Sequence, residues 1–306
     1  HSIAGKPQRI HRVKVTKLTN QIGSGVSSGT SPILDLNDPR LDDYRFLRDR
    51  DLSGARRNEG LFVGETLPIL TQMLAIPGVT RSILASQRMA ERAAQVIAQS
   101  ASPNVPLLIA SDAIIEQTAG FDVHRGALAI GLRAPLDCRT PFDSAFQSAN
   151  LLVALDGVIN MDNVGAIFRG AAAFGVGGVL LSKDSHDPLY RKALRVSMGY
   201  ALTIPYAWCD DLASTISEMR ARRPLLRVLA ADCSRSAKDI ADFDSQTHAE
   251  TPPTMLIIGS EFEGISAQVL KASTDRVRIQ IATSVDSLNA AVAASICLHR
   301  LAAKPI

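Results

Sequence analysis

The chain lacks the short signatures that would settle its chemistry at once. Its four cysteines, Cys138, Cys209, Cys233 and Cys297, are scattered and form neither a C-x-x-C pair nor a Cys/His cluster. That argues against structural zinc and for reduced thiols in a cytoplasmic protein. No apolar run reaches the roughly 18 residues of a membrane span, so no membrane partner is expected. No charged-then-apolar leader is visible at the start, where His1 reads as a processed or tagged end. The glycines of "GVGGVLLS" do not place G-x-G-x-x-G between a strand and a helix, and there is no G-x-x-x-x-G-K-[ST] loop. Dinucleotide and P-loop chemistry are therefore discounted. The net charge of +3 is too modest to name a partner.

What is present is the balance of a globular protein, 46% apolar and 21% charged over 306 residues, with length for two domains and a large core. Lys6, Arg9, Arg12, Lys14 and Lys17 fall in the first twenty residues with no acid among them. Arg45, Arg48, Arg50, Arg56 and Arg57 follow, interleaved with Asp42, Asp43, Asp49 and Asp51. A basic arm ahead of a folded unit suits phosphate contacts, although a solubilising tail accounts equally well for the first twenty residues alone.

Residues 1–36 end in "NQIGSGVSSGTSP" and read as arm and flexible linker. Residues 37–134 alternate helices and short strands: "LDDYRFLRDRDL" as a helix, "GLFVGE", "RSILAS", "PLLIAS" and "GALAIGLR" as strands, and "DAIIEQTAG" as a helix capped by Gly120. Pro135 and Pro141 mark a second linker, 135–148. From 149 to 306 apolar strands such as "LLVALDGV", "GGVLLS", "LLRVLAAD", "TMLIIGS" and "RVRIQI" alternate with helices. That pattern is α/β, with a parallel sheet covered on both faces. Ligands of such sheets sit beyond the carboxyl ends of the strands, here the loops after Val158, Ile258 and Ile281.

Those three loops carry the motifs. In "NMDNVGAIFRGAAAFG", Asn163 can cap a helix and Gly165 admits a close backbone. Arg169 stands among small and apolar neighbours, and a buried guanidinium without partners is costly. In "IIGSEFEGIS", Glu261 and Glu263 could orient that guanidinium, because a bidentate Arg–carboxylate pair is rigid. In "IQIATSVDSLNAAVAA", Ser287 is a plausible cap of the closing helix. Each stretch alone has an ordinary reading: a core helix with a salt bridge, solvated loop acids, an N-cap.

Taken in order, the three resemble the SpoU/TrmH family of RNA 2′-O-methyltransferases, of the SPOUT class. The match is N-x-G-x-x-x-R at Asn163, Gly165 and Arg169, and G-x-E-x-x-G at Gly259, Glu261 and Gly264. S-L-N follows at Ser287, Leu288 and Asn289, after a strand ending at Ile279, and the likeness spans roughly residues 150 to 302. The resemblance implies that 149–306 is an α/β domain with a deep trefoil knot and that 37–134 is an L30e-like RNA-binding domain. It implies S-adenosyl-L-methionine as cosubstrate, held by the backbone at Gly259, Ile279 and Leu288, with no metal. Arg169, Asn163, Glu261, Ser287 and Asn289 become the catalytic set, the substrate ribosomal or transfer RNA, and the assembly a homodimer. Arg56 and Arg57, an apparently exposed pair, and Arg125 are candidate RNA contacts. An antibiotic-resistance methyltransferase and a non-catalytic RNA-binding module that kept the knot are the alternatives. The chain departs from the family at Asn160-Met161 (commonly Asp-Pro), at Gln280-Ile281 (commonly Pro-Met) and at Gly170 (commonly Thr).

Overall fold

The computed structural model describes residues 30–47, 55–121, 123, 126–137, 139–243 and 251–302, with backbone alone at 55 and 56. The described residues open with strand β1 (Thr30–Pro32), a 3-10 turn (Pro39–Tyr44) and a short helix α1 (Ala55–Asn58). Then β2 (Leu61–Glu65), α2 (Leu67–Ala75), β3 (Thr80–Ser86), α3 (Gln87–Ala98), β4 (Leu107–Ala110), α4 (Asp112–Ala119) and β5 (Ala127–Leu132) alternate. They build a sheet in the order β1-β4-β3-β5-β2, with β5 antiparallel to both neighbours. Gly120 ends α4 in the left-handed conformation, as its position predicts.

Two expectations change here. Thr30–Pro32 lie in the stretch read as flexible linker, yet they pair in parallel with β4 and cover its open edge. The helix expected over "LDDYRFLRDRDL" is a 3-10 turn as far as Tyr44. Asp38 caps it, and Phe46, at φ 51°, leaves helical space. Residues 48–54 lie outside the described residues.

The stretch read as a second linker carries two short helices, α5 (Ala134–Asp137) and α6 (Ser144–Ser148). Phe146 of α6 is fully buried, against the position where a Cβ on Gly178 would stand. The second unit runs β6 (Leu151–Asp156), α7 (Met161–Ala173), β7 (Gly178–Ser182), α8 (Arg191–Val196), β8 (Tyr206–Cys209) and α9 (Leu212–Arg222). It continues with β9 (Arg227–Ala231), β10 (Lys238–Asp239), β11 (Thr254–Gly259), α10 (Ala267–Ala272), β12 (Asp275–Arg278) and α11 (Ala290–Leu301). The sheet order is β10-β12-β9-β11-β6-β7-β8, and every pairing is parallel.

The strand period of two divides the core. Leu151, Val153 and Leu155 of β6 face one way, toward Ile167 and Phe168 of α7 and Leu298 of α11. Leu152 and Ala154 face the other, toward Ile216 of α9 and Val269 of α10. Strand β12 pairs with β9 and β10, whereas α11 packs on α7 and β11. Residues 279–289 therefore cross the carboxyl edge of the sheet, where the motif loops lie.

A polar clamp joins the two units. Arg133, only 3% exposed at the end of β5, donates from Nε to Asp137 at 2.8 Å and from its terminal nitrogens to both oxygens of Asp187 at 2.9 Å. Asp137 also accepts the Tyr206 hydroxyl of β8. Burial pulls the guanidinium's pKa down, but Asp187 and then Asp137 outweigh it and hold it above the ordinary value. Burial, then Asp137, pushes the Tyr206 hydroxyl well up.

Candidate active site

The three motif loops meet through one hydrogen-bonded chain. After β6, Gly157 turns the backbone at φ 67° and donates its N–H to Ser182 Oγ at 2.9 Å. Asn160 then caps α7 by accepting from Asp162 N at 2.9 Å. Asn163, expected as that cap, instead sits inside the helix, 4% exposed, and its amide points at the other two loops. Its Nδ2 donates to Glu261 Oε1, and its Oδ1 accepts from Asn289 Nδ2 at 2.9 Å. Asn289 caps α11, its Oδ1 accepting from Ala291 N at 3.0 Å and Val292 N at 3.2 Å. That is the role expected of Ser287, which is exposed two residues earlier.

Both ends fix the sense of this chain. Glu261 as a carboxylate can only accept, so it takes the amide nitrogen of Asn163. The helix N–H groups consume Asn289 Oδ1, so that residue is left to donate. The Asn163 amide is thereby oriented without choice.

Arg169 corrects a third expectation. It is exposed, and among the described residues it has no side-chain partner; Glu261 is committed to Asn163 instead. The core face of α7 is Asn163, Val164, Ile167, Phe168 and Ala171. Residues one turn away from Arg169, Gly165, Ala166, Ala172 and Ala173, are too small to cover a guanidinium. The small side chains leave it reachable. Glu263 is exposed as well, with its N–H on Ser260 Oγ at 3.0 Å.

The motif glycines serve close approach. A Cβ on Gly259 would lie 2.3 Å from the Gly264 carbonyl carbon. Ser260 and Gly264 exchange both backbone hydrogen bonds, at 3.0 and 3.1 Å, which pinches the loop shut. A Cβ on Gly165 would lie 2.5 Å from Ala193 O, so that glycine serves the α7–α8 contact. Ile279 and Leu288 are half-buried near the two ends of the crossing segment, and Ala282–Ser287 between them are exposed. Strand β12 stops at Arg278, short of the expected end at Ile279.

The Arg56 side chain and Arg125 lie outside the described residues. Arg57 is exposed, with its guanidinium 4.2 Å from the centre of the Trp208 ring, so one face is used within the chain. Asp156, at the end of β6, was not singled out by sequence. It accepts from Ser266 N at 2.7 Å and fixes the chain ahead of α10. A lone acid ending an apolar strand beside a loop was its only signal. No helix among the described residues is long and apolar enough to cross a membrane.

Residues 150–299 match the SpoU rRNA Methylase family. An uncharacterized tRNA/rRNA methyltransferase of Mycobacterium tuberculosis (strain CDC 1551 / Oshkosh) is 31% identical over 268 residues, 87% of this chain and 90% of that protein. A 23S rRNA (guanosine-2'-O-)-methyltransferase RlmB of Ralstonia nicotianae is 31% identical over 120 residues, 39% of this chain and 45% of that protein. An AdoMet-bound rRNA methyltransferase structure from Sinorhizobium meliloti shares the fold with a TM-score of 0.69 at 22% identity, covering 89% of this chain and 97% of that one. The motif geometry and a likeness that runs almost the full length of the mycobacterial protein lead to one conclusion: the chain belongs to the SpoU/TrmH family of RNA methyltransferases.

Proposed function

We propose that the protein transfers a methyl group from S-adenosylmethionine to a ribose 2′-hydroxyl of ribosomal or transfer RNA. The observation that carries this is the Glu261–Asn163–Asn289 chain, which ties three loops at the carboxyl edge of the sheet while leaving Arg169 uncommitted on the same helix. The 2′-O specificity named for the Ralstonia relative and the AdoMet bound in the Sinorhizobium structure support the reading. Residues 37–134 would form an L30e-like substrate domain, and 149–306 the methyltransferase domain, with residues 279–289 threading its knot. Val292 and Ile296, exposed one turn apart on α11, suit burial against a second copy in a homodimer. The cytoplasm is the expected compartment.

The donor would supply an electrophilic sulfonium methyl, held against backbone at Gly259, Ile279 and Leu288. The ribose 2′-oxygen forms the new C–O bond as the S–C bond breaks, and its proton leaves to solvent. A guanidinium stays protonated in proteins and is a poor base. Arg169 would instead clamp the substrate phosphate and stabilise the developing alkoxide. Glu261 and Asn289 would hold Asn163 and so fix the start of α7, with exposed Ser287 orienting the hydroxyl.

Arg169→Lys tests the assignment. S-adenosylmethionine affinity by calorimetry should stay within about twofold, while single-turnover transfer to RNA from cells lacking the gene falls roughly 100-fold or more. Near-normal transfer by the variant would remove Arg169 from the chemistry. A wild-type chain that binds no S-adenosylmethionine would make it a binding module.

A further inference from the structure

We infer that Arg191 is a positioning residue through which the five-stranded unit sets the catalytic helix α7, an inference that rests on the proposed methyl transfer. Arg191 is the first residue of α8, in the seven-stranded unit. Its guanidinium pairs with Glu65, at the end of β2 in the other unit, and lies 4.3 Å from the centre of the Phe121 ring, just past α4. Arg195, one turn on, reaches the second Glu65 oxygen at 3.5 Å. The side chains of Arg191 and Glu65 are 18% and 12% exposed, so most of their hydration is gone and each depends on the other.

The opposite face of α8 meets α7 at Gly165, where the Ala193 carbonyl and the Val196 side chain leave no room for a Cβ. The position of a Gly165 Cβ is 2.5 Å from Ala193 O and 2.8 Å from Val196 Cβ. Lys192 adds a second tie, 2.7 Å to Asp162 in the first turn of α7. Asn163 and Arg169 lie on either side of Gly165 along that helix. A displacement of β2 therefore reaches both residues through the Glu65–Arg191 pair and the close α7–α8 contact, with little slack to absorb it.

Backbone strain marks the same junction. Three non-glycine residues among those described have positive φ, and two of them flank it: Thr66 at 76°, directly after Glu65, and Met198 at 55°, just past α8. Such conformations persist where surrounding contacts over-determine them, and they concentrate at sites whose geometry matters. Next to Met198, a Cβ on Gly199 would stand 3.2 Å from Gln72 Cγ of α2, so the units also touch closely there. An RNA seated on the five-stranded unit would thus meet Arg169 at a preset distance, and loss of that setting would slow alignment more than binding.

The test uses the full chain, radiolabelled S-adenosylmethionine, and ribosomal and transfer RNA from cells lacking the gene. Arg191→Met and Glu65→Gln should each lower the single-turnover rate at saturating RNA about tenfold, with RNA and S-adenosylmethionine affinities within about threefold of wild type. Arg191→Lys keeps a positive charge against Glu65 and should retain most of the rate. Phe121→Leu keeps the ion pair and removes the ring, and should cost about threefold. It serves if the charge variants do not fold. A full rate in the soluble variants, or a loss that tracks RNA affinity alone, would overturn the inference. No methyl transfer by the wild-type chain would instead sink the functional reading beneath it.

Discussion

Asn163 holds more of this site together than any other side chain described. Among the described residues its buried amide bonds both the loop after β11 and the cap of α11, through Glu261 and Asn289, whose own side chains reach the surface. Asn163→Ala should cost about 1–3 kcal/mol, two hydrogen bonds at about 0.5–1.5 kcal/mol each. Asn163→Asp is the sharper probe, because it sets a second carboxylate against Glu261. Like charges at that distance raise the pKa of one of the pair above its unfolded value. A raised carboxyl contributes stability below its unfolded pKa and loses it as pH rises through the folded one. The aspartate variant should therefore lose more stability relative to wild type at pH 7 than at pH 5 in urea titrations. Equal losses at the two pH values would mean that the new carboxylate does not face Glu261.

At the scale of elements, α11 is the piece that closes the site, and it carries a titratable group inside the core. Cys297 is 1% exposed, and burial pushes its thiol up to about 12. The neutral thiol is favoured in the folded chain, so this contribution is intact below about pH 9. It declines as pH rises toward 12, by up to about 1.4 kcal/mol per pH unit. Cys297→Ala should flatten the fall in stability between pH 9 and 11, followed by urea titration at stepped pH; an unchanged slope would place the thiol in contact with solvent. Most elements were legible because they follow local rules. Apolar strands and the Gly120 cap of α4 need only near neighbours. Strands β1, β8 and β10 were not legible, since three, four and two residues give a period of two almost nothing to act on. The site was readable as three motifs but not as contacts. The family resemblance groups Asn163, Glu261 and Asn289, but a sequence does not show that one amide bonds the other two. Arg169 misled for a related reason: small neighbours look like a packing face, and here they are what leaves the guanidinium uncovered.

At the scale of the whole molecule, the question is whether the two sheets behave as one body. Arg133 gives the answer a measurable form, because its partners come from α5, the loop after β7 and, through Asp137, β8. Removing one partner of a buried charge network leaves the others desolvated and uncompensated, which costs about 3–5 kcal/mol. Arg133→Met strands both Asp187 and Asp137, so a loss in that range is expected. By contrast, the exposed pair Arg222–Glu218, at 51% and 49% side-chain exposure, should be worth under about 1 kcal/mol when broken. The difference should also show in cooperativity. With the clamp intact, scanning calorimetry should give one transition. With methionine at 133 the five-stranded unit, still held by polar contacts such as the Glu65–Arg191 pair and the Arg57–Trp208 stack, should melt ahead of the larger sheet. A single transition in both proteins, shifted by less than about 1 kcal/mol equivalent, would show that apolar contact between the units carries the coupling and that Arg133 is tolerated there without holding them.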